Sequence, residues 1–167
     1  MAWGYSRFDQ NWKSTAQLLR LLSNAASKGG NFLLNIGPEP DGSIPAESAQ
    51  RLREMGAWMR ANGRAIYATQ ACGLKGLPPE QIRCTSRRDA DGTVRHFLHL
   101  WQPPGDGTLR LPGLQLRVAE ARLLADGRAL KFHDGGDSLS IDLAGATADA
   151  TLLPVVELVL QPEVRPR

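Results

Sequence analysis

The hydrophobic positions between residues 14 and 69 predict a helix, a strand and a second helix. A capping box of Ser14 and Gln17 predicts where the first helix begins, because the two residues satisfy otherwise unpaired backbone donors. Lys28 and the glycines at 29–30 predict where it ends. The apolar residues that recur at helical spacing between these signals are Leu18, Leu19, Leu22, Ala25 and Ala26.

A continuous apolar run follows the first helix and extends from Phe32 to Leu34, within the segment 31–36. An unbroken run is typical of a strand that is buried on both faces, as in a parallel sheet covered by helices. Gly37-Pro38 closes this predicted strand.

A turn-rich loop at 39–43 leads to the second predicted helix. Pro45 suits the first turn of that helix, where a missing backbone N–H costs nothing. Asn62-Gly63 is a stop signal. The residues expected to form the buried stripe of this helix are Leu52, Met55 and Met59.

Beyond about Gly73 the pattern changes to short strands separated by turns. Dipeptides typical of turns, Asp-Gly or Gly-Gly, begin at positions 91, 106, 126 and 135. Several short strands with regular turns indicate an antiparallel β-sandwich. The predicted strands are Thr93–Trp101, which is the clearest, and 109–111, 116–124, 138–143 and 155–160.

The distribution of charge changes at the same place as the hydrophobic pattern. Residues 1–72 carry 8 basic and 5 acidic groups, a net charge of +3, whereas residues 73–167 carry 12 of each. We therefore predict two domains, 1–72 and 73–167, with the boundary near Cys72.

The first of these two domains is incomplete by physical criteria. A strand that is apolar on both faces needs neighbouring strands on both sides and layers above and below, and its unpaired edges would otherwise be exposed. The order helix, strand, helix is typical of the last units of a (β/α)8 barrel. The predicted fold class is therefore α/β plus all-β, with the last units of an incomplete TIM-like barrel followed by an antiparallel β-sandwich.

Composition and charge exclude several classes of function. The charged residues are scattered and the net charge is only +3, so there is no electrostatic footprint for binding nucleic acid. No apolar run approaches the roughly 18 residues that span a membrane, so membrane insertion is not expected. The first residues also lack the basic and apolar regions of a signal peptide.

The two cysteines, Cys72 and Cys84, leave two alternatives open. They form a disulfide in an oxidising compartment, or they remain two unpaired thiols. Their spacing supports neither a zinc site nor a redox motif. The sequence contains no phosphate-binding or dinucleotide-binding motif, so no cofactor is expected.

Four motifs resemble the α-L-fucosidases of glycoside hydrolase family 29. The resemblance is strongest in the ungapped string from Lys28 to Pro38. It covers residues 3–69 well and residues 73–167 only by strand pattern, where it corresponds to the C-terminal β-sandwich of that family. The motifs are Trp-Gly-Tyr at 3–5, Trp-Lys-Ser at 12–14, Ser-Lys-Gly-Gly-Asn-Phe-Leu-Leu-Asn-Ile-Gly-Pro at 27–38 and Pro-Asp-Gly-Ser-Ile-Pro at 40–45.

This resemblance implies a glycosidase that removes terminal α-L-fucose from glycoconjugates with retention of configuration. Retaining hydrolysis uses two carboxyl groups about 5–5.5 Å apart. In the family, both carboxylates and the fucose-binding histidines lie on segments N-terminal to Trp3. The expectation is therefore that this chain holds no catalytic residue and is inactive alone. Members of the family are often secreted, periplasmic or lysosomal, and the compartment of this chain stays open.

Two aromatic residues are predicted to bind the substrate. The resemblance aligns Trp3 with an aromatic residue at the end of the seventh barrel strand that packs against the sugar, and Tyr5 is a second candidate. Fucose presents a methyl group and an apolar ring face, which an aromatic ring can bury. The C-terminal ends of barrel strands are also where active sites lie.

Other polar residues have structural interpretations that compete with functional ones. Glu39 and Asp41 are the carboxylates nearest the end of the predicted strand, but they lie in a turn sequence. Asn35, at the end of the predicted strand, has two interpretations: a hydrogen bond within the site, or, as is more usual for a buried polar group, one to neighbouring backbone. His96 and His99 are three apart, so a strand places them on opposite faces, where they cannot share a metal ion.

Three hypotheses remain. The chain belongs to an α-L-fucosidase; or its sandwich is a carbohydrate-binding or interaction module; or it is a fragment with no function of its own, from a truncated gene or an incomplete assembly. The third hypothesis implies self-association, or pairing with a missing N-terminal barrel segment, to cover exposed apolar faces. The second needs exposed aromatic residues, and residues 73–167 contain only Phe97, Trp101 and Phe132.

Overall fold

The computed structural model describes residues 4–9, 11–145 and 152–161, and it combines two helices with two antiparallel sheets. The helices are α1 (Thr15–Ser27) and α2 (Ala46–Asn62), and a short 3₁₀ helix, Gly63–Ala65, follows α2. The strands are β1 (Gln70–Ala71), β2 (Ile82–Arg88), β3 (Val94–Leu100), β4 (Thr108–Pro112), β5 (Val118–Leu123), β6 (Phe132–Asp134), β7 (Ser138–Asp142) and β8 (Val155–Leu160).

Helix α1 begins and ends where the sequence predicts. The Ser14 hydroxyl accepts a hydrogen bond from the backbone N–H of Gln17, and the Ser14 N–H donates to the Gln17 side chain at 2.8 Å. This is a complete capping box. Beyond the helix, Gly29 has a φ of 70°, which a residue with a Cβ rarely adopts. The predicted apolar face is confirmed, since Leu18 and Leu19 are buried.

The strands form two sheets in which every paired strand is antiparallel. The larger sheet has the order β1-β2-β3-β8-β5, and the smaller sheet has the order β4-β7-β6. All five strands predicted beyond Gly73 are present. The sequence missed β1, β2 and β6, of which β1 and β6 are only two and three residues long.

One hydrophobic core lies between the two sheets. It contains alternate residues of the larger sheet, such as Leu98 and Leu158, together with Leu139 and Ile141 of β7. Alternation of this kind follows from the two-residue period of a strand.

A second core joins the helices to the other face of the larger sheet. Leu19 of α1 and Trp58 of α2 pack in one cluster with Phe97 of β3 and Val155 of β8. The Trp58 indole N–H donates to the carbonyl of Leu153 at 2.7 Å. The larger sheet is therefore covered on one face by the smaller sheet and on the other by the helices.

The prediction of a strand buried on both faces at residues 31–36 was wrong. The structure assigns no strand between α1 and α2, and Leu33 is 91% exposed. Phe32 and Leu34 point the other way and pack against the second core. The segment is thus extended with only one covered face, because the described residues supply no layer that packs on the Leu33 side.

The buried stripe of α2 agrees with the predicted one fully only at Met55, because the buried residues of the helix are Met55, Trp58 and Asn62. Met55 is buried and Met59 is half-buried, as expected, but Leu52 is 37% exposed and Trp58 takes the second buried position. Pro45 lies immediately before the helix, at its N-cap, rather than within its first turn. Trp58 is accommodated inside because its ring packs in the second core and its N–H donates to the Leu153 carbonyl.

The cysteine alternatives resolve in favour of a disulfide. Cys72 directly follows β1 and is bonded to Cys84 of β2, with their Cα atoms 5.3 Å apart. This separation is within the usual range for bonded cysteines. None of the helices in the described ranges is long and apolar enough to span a membrane.

Candidate functional site

A cavity of about 230 Å³ opens where the N-terminal residues meet both helices. Tyr5, the second residue predicted to bind substrate, lines it, whereas Trp3 lies outside the described residues. The other lining residues come from the segment before α1, from α1 itself, from residues 34–37 and from the first half of α2, and they are Gly4, Ser6, Asp9, Asn11, Trp12, Lys13, Leu18, Leu34, Asn35, Ile36, Gly37, Ser48, Arg51 and Leu52.

The cavity wall depends on a close approach of two backbone segments. A Cβ placed on Gly37 would lie 2.5 Å from the backbone nitrogen of Tyr5 and 2.7 Å from the carbonyl carbon of Gly4. Both contacts are with backbone atoms, so a side chain at position 37 would force the segments apart. Gly37 therefore fixes the position of Tyr5 relative to the extended segment 31–36.

Side chains of α2 hold the loop before α1 in place. The Arg51 guanidinium donates to the carbonyl of Lys13 at 3.0 Å and to the carbonyl of Glu47 at 3.2 Å. The Thr15 hydroxyl, which is buried, donates to the carboxylate of Glu54. The pKa of Glu54 is lowered by this hydrogen bond and by a second one from Gln50.

The lining combines aromatic, apolar and hydrogen-bonding groups. Tyr5 is 38% exposed. The indole nitrogen of Trp12 is buried and has no hydrogen-bond partner among the described residues. Leu34 and Ile36 supply apolar surface, and Asn11 and Lys13 supply polar groups. A concave site with an apolar wall and a few polar groups is suited to a small amphipathic ligand such as a sugar.

Carboxylates are scarce in this cavity. Among the lining residues that the structure describes, Asp9 is the single one, and it accepts a hydrogen bond from the N–H of Asn11 at 3.0 Å. Asp41 lies in a turn instead. Hydrogen bonds from the side chain and backbone N–H of Ser43 hold the pKa of Asp41 below its ordinary value. The backbone of Glu39 closes the same turn by donating to the Ser43 carbonyl at 2.8 Å.

The histidines of β3 lie on opposite faces of the sheet, as predicted. His99 is fully buried in contact with Thr85, whose hydroxyl lies 3.1 Å from His99 Nε2 and donates to the Ala65 carbonyl at 2.6 Å. Burial lowers the pKa of His99 to about 4, so the ring is neutral at pH 7. His96 faces the other side, 3.6 Å from the Cys72 sulfur. His133 is exposed on β6.

The aromatic residues of the sheets belong to the interior. Phe97 is fully buried, and Trp101 is half-buried beneath the guanidinium of Arg83, 4.2 Å from its ring centre. The Trp101 indole N–H donates to the hydroxyl of Ser23 in α1 at 3.0 Å. Phe132 is half-buried against the core between the sheets.

Comparisons with known proteins point to a single family. Residues 1–64 match the family described as Alpha-L-fucosidase. The plasma alpha-L-fucosidase of Rattus norvegicus is 35% identical over 135 residues, which cover 78% of this chain and 29% of that protein. The tissue alpha-L-fucosidase of Mus musculus is 42% identical over 114 residues, which cover 66% of this chain and 25% of that protein.

The structural comparison agrees with the sequence comparison. Alpha-L-fucosidase isoenzyme 1 from Paenibacillus thiaminolyticus superposes with a TM-score of 0.83 at 38% identity, over 96% of this chain and 38% of that chain. The chain belongs to the α-L-fucosidase family. It spans 29% of the length of the rat relative, which is consistent with the C-terminal part of a fucosidase. Its helices and antiparallel sheets match those of the fucosidase structures.

Sequence reasoning missed most of the cavity. Of the two predicted substrate-binding residues, the structure describes Tyr5 at the cavity, while Asp9, Asn11, Lys13 and Arg51 were not singled out. A signal was present, because the fucosidase motifs at 3–5, 12–14 and 27–38 all contribute lining residues.

Proposed function

We propose that this chain forms the C-terminal part of an α-L-fucosidase that hydrolyses terminal α-L-fucose with retention. In this proposal residues 1–72 are the end of the catalytic barrel and residues 73–167 are a β-sandwich. The observation that carries the proposal is the cavity beside Tyr5, built from three fucosidase motifs and held by the close packing at Gly37. A related α-fucosidase, from Thermotoga maritima, is solved in complex with fucose.

The substrate contacts proposed for this chain are aromatic. Tyr5, together with Trp3 just before the described residues, packs against the methyl group and apolar face of fucose. Aromatic rings bury such surfaces while hydroxyl groups go to polar partners. Asn11 and Lys13 offer hydrogen-bond donors in the same lining.

The catalytic carboxylates of the enzyme are proposed to come from outside this chain. Retaining hydrolysis requires a nucleophile and an acid/base group on opposite sides of the scissile bond. Asp9 is a single carboxylate in the described lining, and its hydrogen bond to Asn11 belongs to a local turn. We therefore expect no turnover from the isolated chain.

The natural partner of the extended segment 31–36 is proposed to be the N-terminal part of the barrel. Leu33 is 91% exposed on the side that faces away from the helices, and Phe8 is 92% exposed. An apolar, extended segment with one exposed face is suited to a sheet in which further strands cover that face. The fucosidase relatives are about three times longer than the matched region, so their remaining residues can supply such strands.

The decisive experiment joins the chain to the preceding part of the Paenibacillus relative in one polypeptide. The fusion is expected to release nitrophenol from a nitrophenyl α-L-fucoside, and the isolated chain is not. In the fusion, Tyr5→Ala should raise KM, because it removes apolar contact with the sugar. Tyr67→Ala is the matched control, since Tyr67 is 66% exposed and does not line the cavity.

Two results would contradict the proposal. Saturable turnover by the purified isolated chain would mean that its own carboxylates, Asp9 first among them, perform the chemistry. A folded fusion without activity would mean that this chain does not complete the barrel of a fucosidase. Folding of the fusion is checked by size-exclusion chromatography and by a cooperative thermal transition.

A further inference from the structure

Three side chains that commonly bind metals meet on the larger sheet, and none of them lines the cavity. They are Cys72, Cys84 and His96, and their ligand atoms all lie within 4.8 Å of one another. Cys84 is 6% exposed and His96 is 8% exposed, while Cys72 is half-buried.

The strand register explains why these residues share one place. In the β1–β2 ladder Ala71 lies opposite Thr85, so the next residue, Cys72, comes beside Cys84. In the β2–β3 ladder Ser86 lies opposite His96. Because side chains alternate between faces along a strand, Cys84, Ser86 and His96 project from the same face. Three consecutive strands thus bring two sulfur atoms and one imidazole together.

The distances match those between the ligands of a tetrahedral metal ion. The Cys72 sulfur lies 3.6 Å from His96 Nδ1. Zinc binds sulfur at about 2.3 Å and imidazole nitrogen at about 2.0–2.1 Å, so two such ligands at a tetrahedral angle are separated by about 3.6 Å. The imidazole therefore already stands at ligand distance, and only the bonded sulfur atoms must separate.

We propose that Cys72, Cys84 and His96 form a three-ligand Zn²⁺ site when their disulfide is reduced. Two molecules of a thiol reductant convert the disulfide into two cysteine thiols and are themselves oxidised to one disulfide. Zn²⁺ then binds two thiolates and the Nδ1 lone pair and releases two protons, with the fourth position open to water. The disulfide and the metal exclude each other, because both use the same two sulfur atoms.

The donor set selects the class of metal. Two thiolates and an imidazole suit thiophilic ions such as Zn²⁺ and disfavour Ca²⁺ and Mg²⁺, which take oxygen ligands. The ligand cluster itself contains no carboxylate. The partly exposed sulfur of Cys72 offers a small-molecule reductant a place to attack.

Cobalt provides the direct test, because Co²⁺ takes the same site as Zn²⁺ and absorbs light when thiolates bind it. Protein reduced with a phosphine should develop thiolate-to-cobalt charge-transfer absorption that saturates at one equivalent, and added Zn²⁺ should abolish it. Oxidised protein should show none. His96→Gln should raise the dissociation constants of both Co²⁺ and Zn²⁺ by at least about tenfold, which corresponds to about 1.4 kcal/mol of binding free energy. His133→Gln, at the exposed histidine of β6, should leave the affinities unchanged.

A measurement on the unaltered chain covers the case in which His96→Gln fails to fold. Zn²⁺ should slow the alkylation of both reduced cysteines by iodoacetamide, and it should slow their reoxidation. The proposal is overturned if reduced, folded protein gives no cobalt absorption, or if Zn²⁺ does not protect the thiols. It is equally overturned if a folded His96→Gln protein binds both metals as tightly as the original.

Discussion

The buried His99 should make the stability of this protein sensitive to acid. Burial is the main cause of its lowered pKa, which falls from 6.5 to about 4. The Thr85 hydroxyl donates to the Ala65 carbonyl, so it accepts from the Nε2–H of His99. Nδ1 has no partner among the described residues, so a proton placed there would be buried without an acceptor.

The direction in which stability changes with pH follows from whether the folded or the unfolded state binds the proton more readily. Below pH 6.5 the unfolded chain protonates His99, whereas the folded protein resists protonation until about pH 4. The contribution is fully present above pH 6.5 and is lost as the pH falls towards 4. The loss of unfolding free energy, relative to its value above pH 6.5, amounts to about 2 kcal/mol at pH 5 and to about 3 kcal/mol over the whole interval.

Urea unfolding monitored by tryptophan fluorescence, at several pH values between about 7.5 and 4, measures this effect. His99→Gln removes the titrating ring, so its unfolding free energy should fall less steeply with acid than that of the original protein. His133→Gln should keep the original slope, because His133 is exposed. Equal slopes for the original protein and His99→Gln would refute the reasoning, whatever their absolute stabilities.

Three further substitutions test other parts of the fold. Gly37→Ala should force the backbone at position 37 away from residues 4–5 and speed amide exchange at residues 4–9. Gly4→Ala is the control, because a Cβ at position 4 meets no atom within 4 Å and should leave the exchange rates unchanged. Equal exchange rates in the two variants would contradict the close approach. Trp58→Phe should lower the unfolding free energy by about 1–2 kcal/mol in urea titrations, because the Leu153 carbonyl loses its donor. Glu157→Gln should cost about 1–2 kcal/mol in the same assay, because Glu157 is buried against Arg64 and Arg95. Glu120→Gln, which removes the exposed ion pair between Glu120 and Arg122, should lower the unfolding free energy by less than about 0.5 kcal/mol. An equal loss for Glu120→Gln and Glu157→Gln would contradict the role of burial.

Local signals in the sequence were sufficient for much of the fold. The capping box at Ser14 and the period of the leucines specified α1, because both act within a few residues. The turn signal at residues 91–92 marked the start of β3 in the same way. Strand β2 escaped prediction because its sequence, Ile-Arg-Cys-Thr-Ser-Arg-Arg, is polar, and its burial comes from neighbours distant in the chain.

The segment 31–36 shows where local reasoning stops. Its apolar run was interpreted as a strand buried on both faces, but burial of the Leu33 face requires strands that the described residues do not supply. An apolar pattern indicates that a side chain is suited to burial, but whether it is buried depends on which elements pack against it. The same limit applies to the cavity, because the nearness of Gly37 to Tyr5 is a contact across some thirty residues that no periodicity encodes.

The position of β8 in the larger sheet has a consequence for synthesis on the ribosome. This strand is the last one described in the chain, yet it lies between β3 and β5, and its residues contribute to both cores. Until it has been translated, β3 and β5 lack their common partner and neither core can close. Helices and early strands that have already emerged therefore keep apolar faces uncovered until β8 is made, and exposed apolar surface of this kind favours aggregation of a nascent chain.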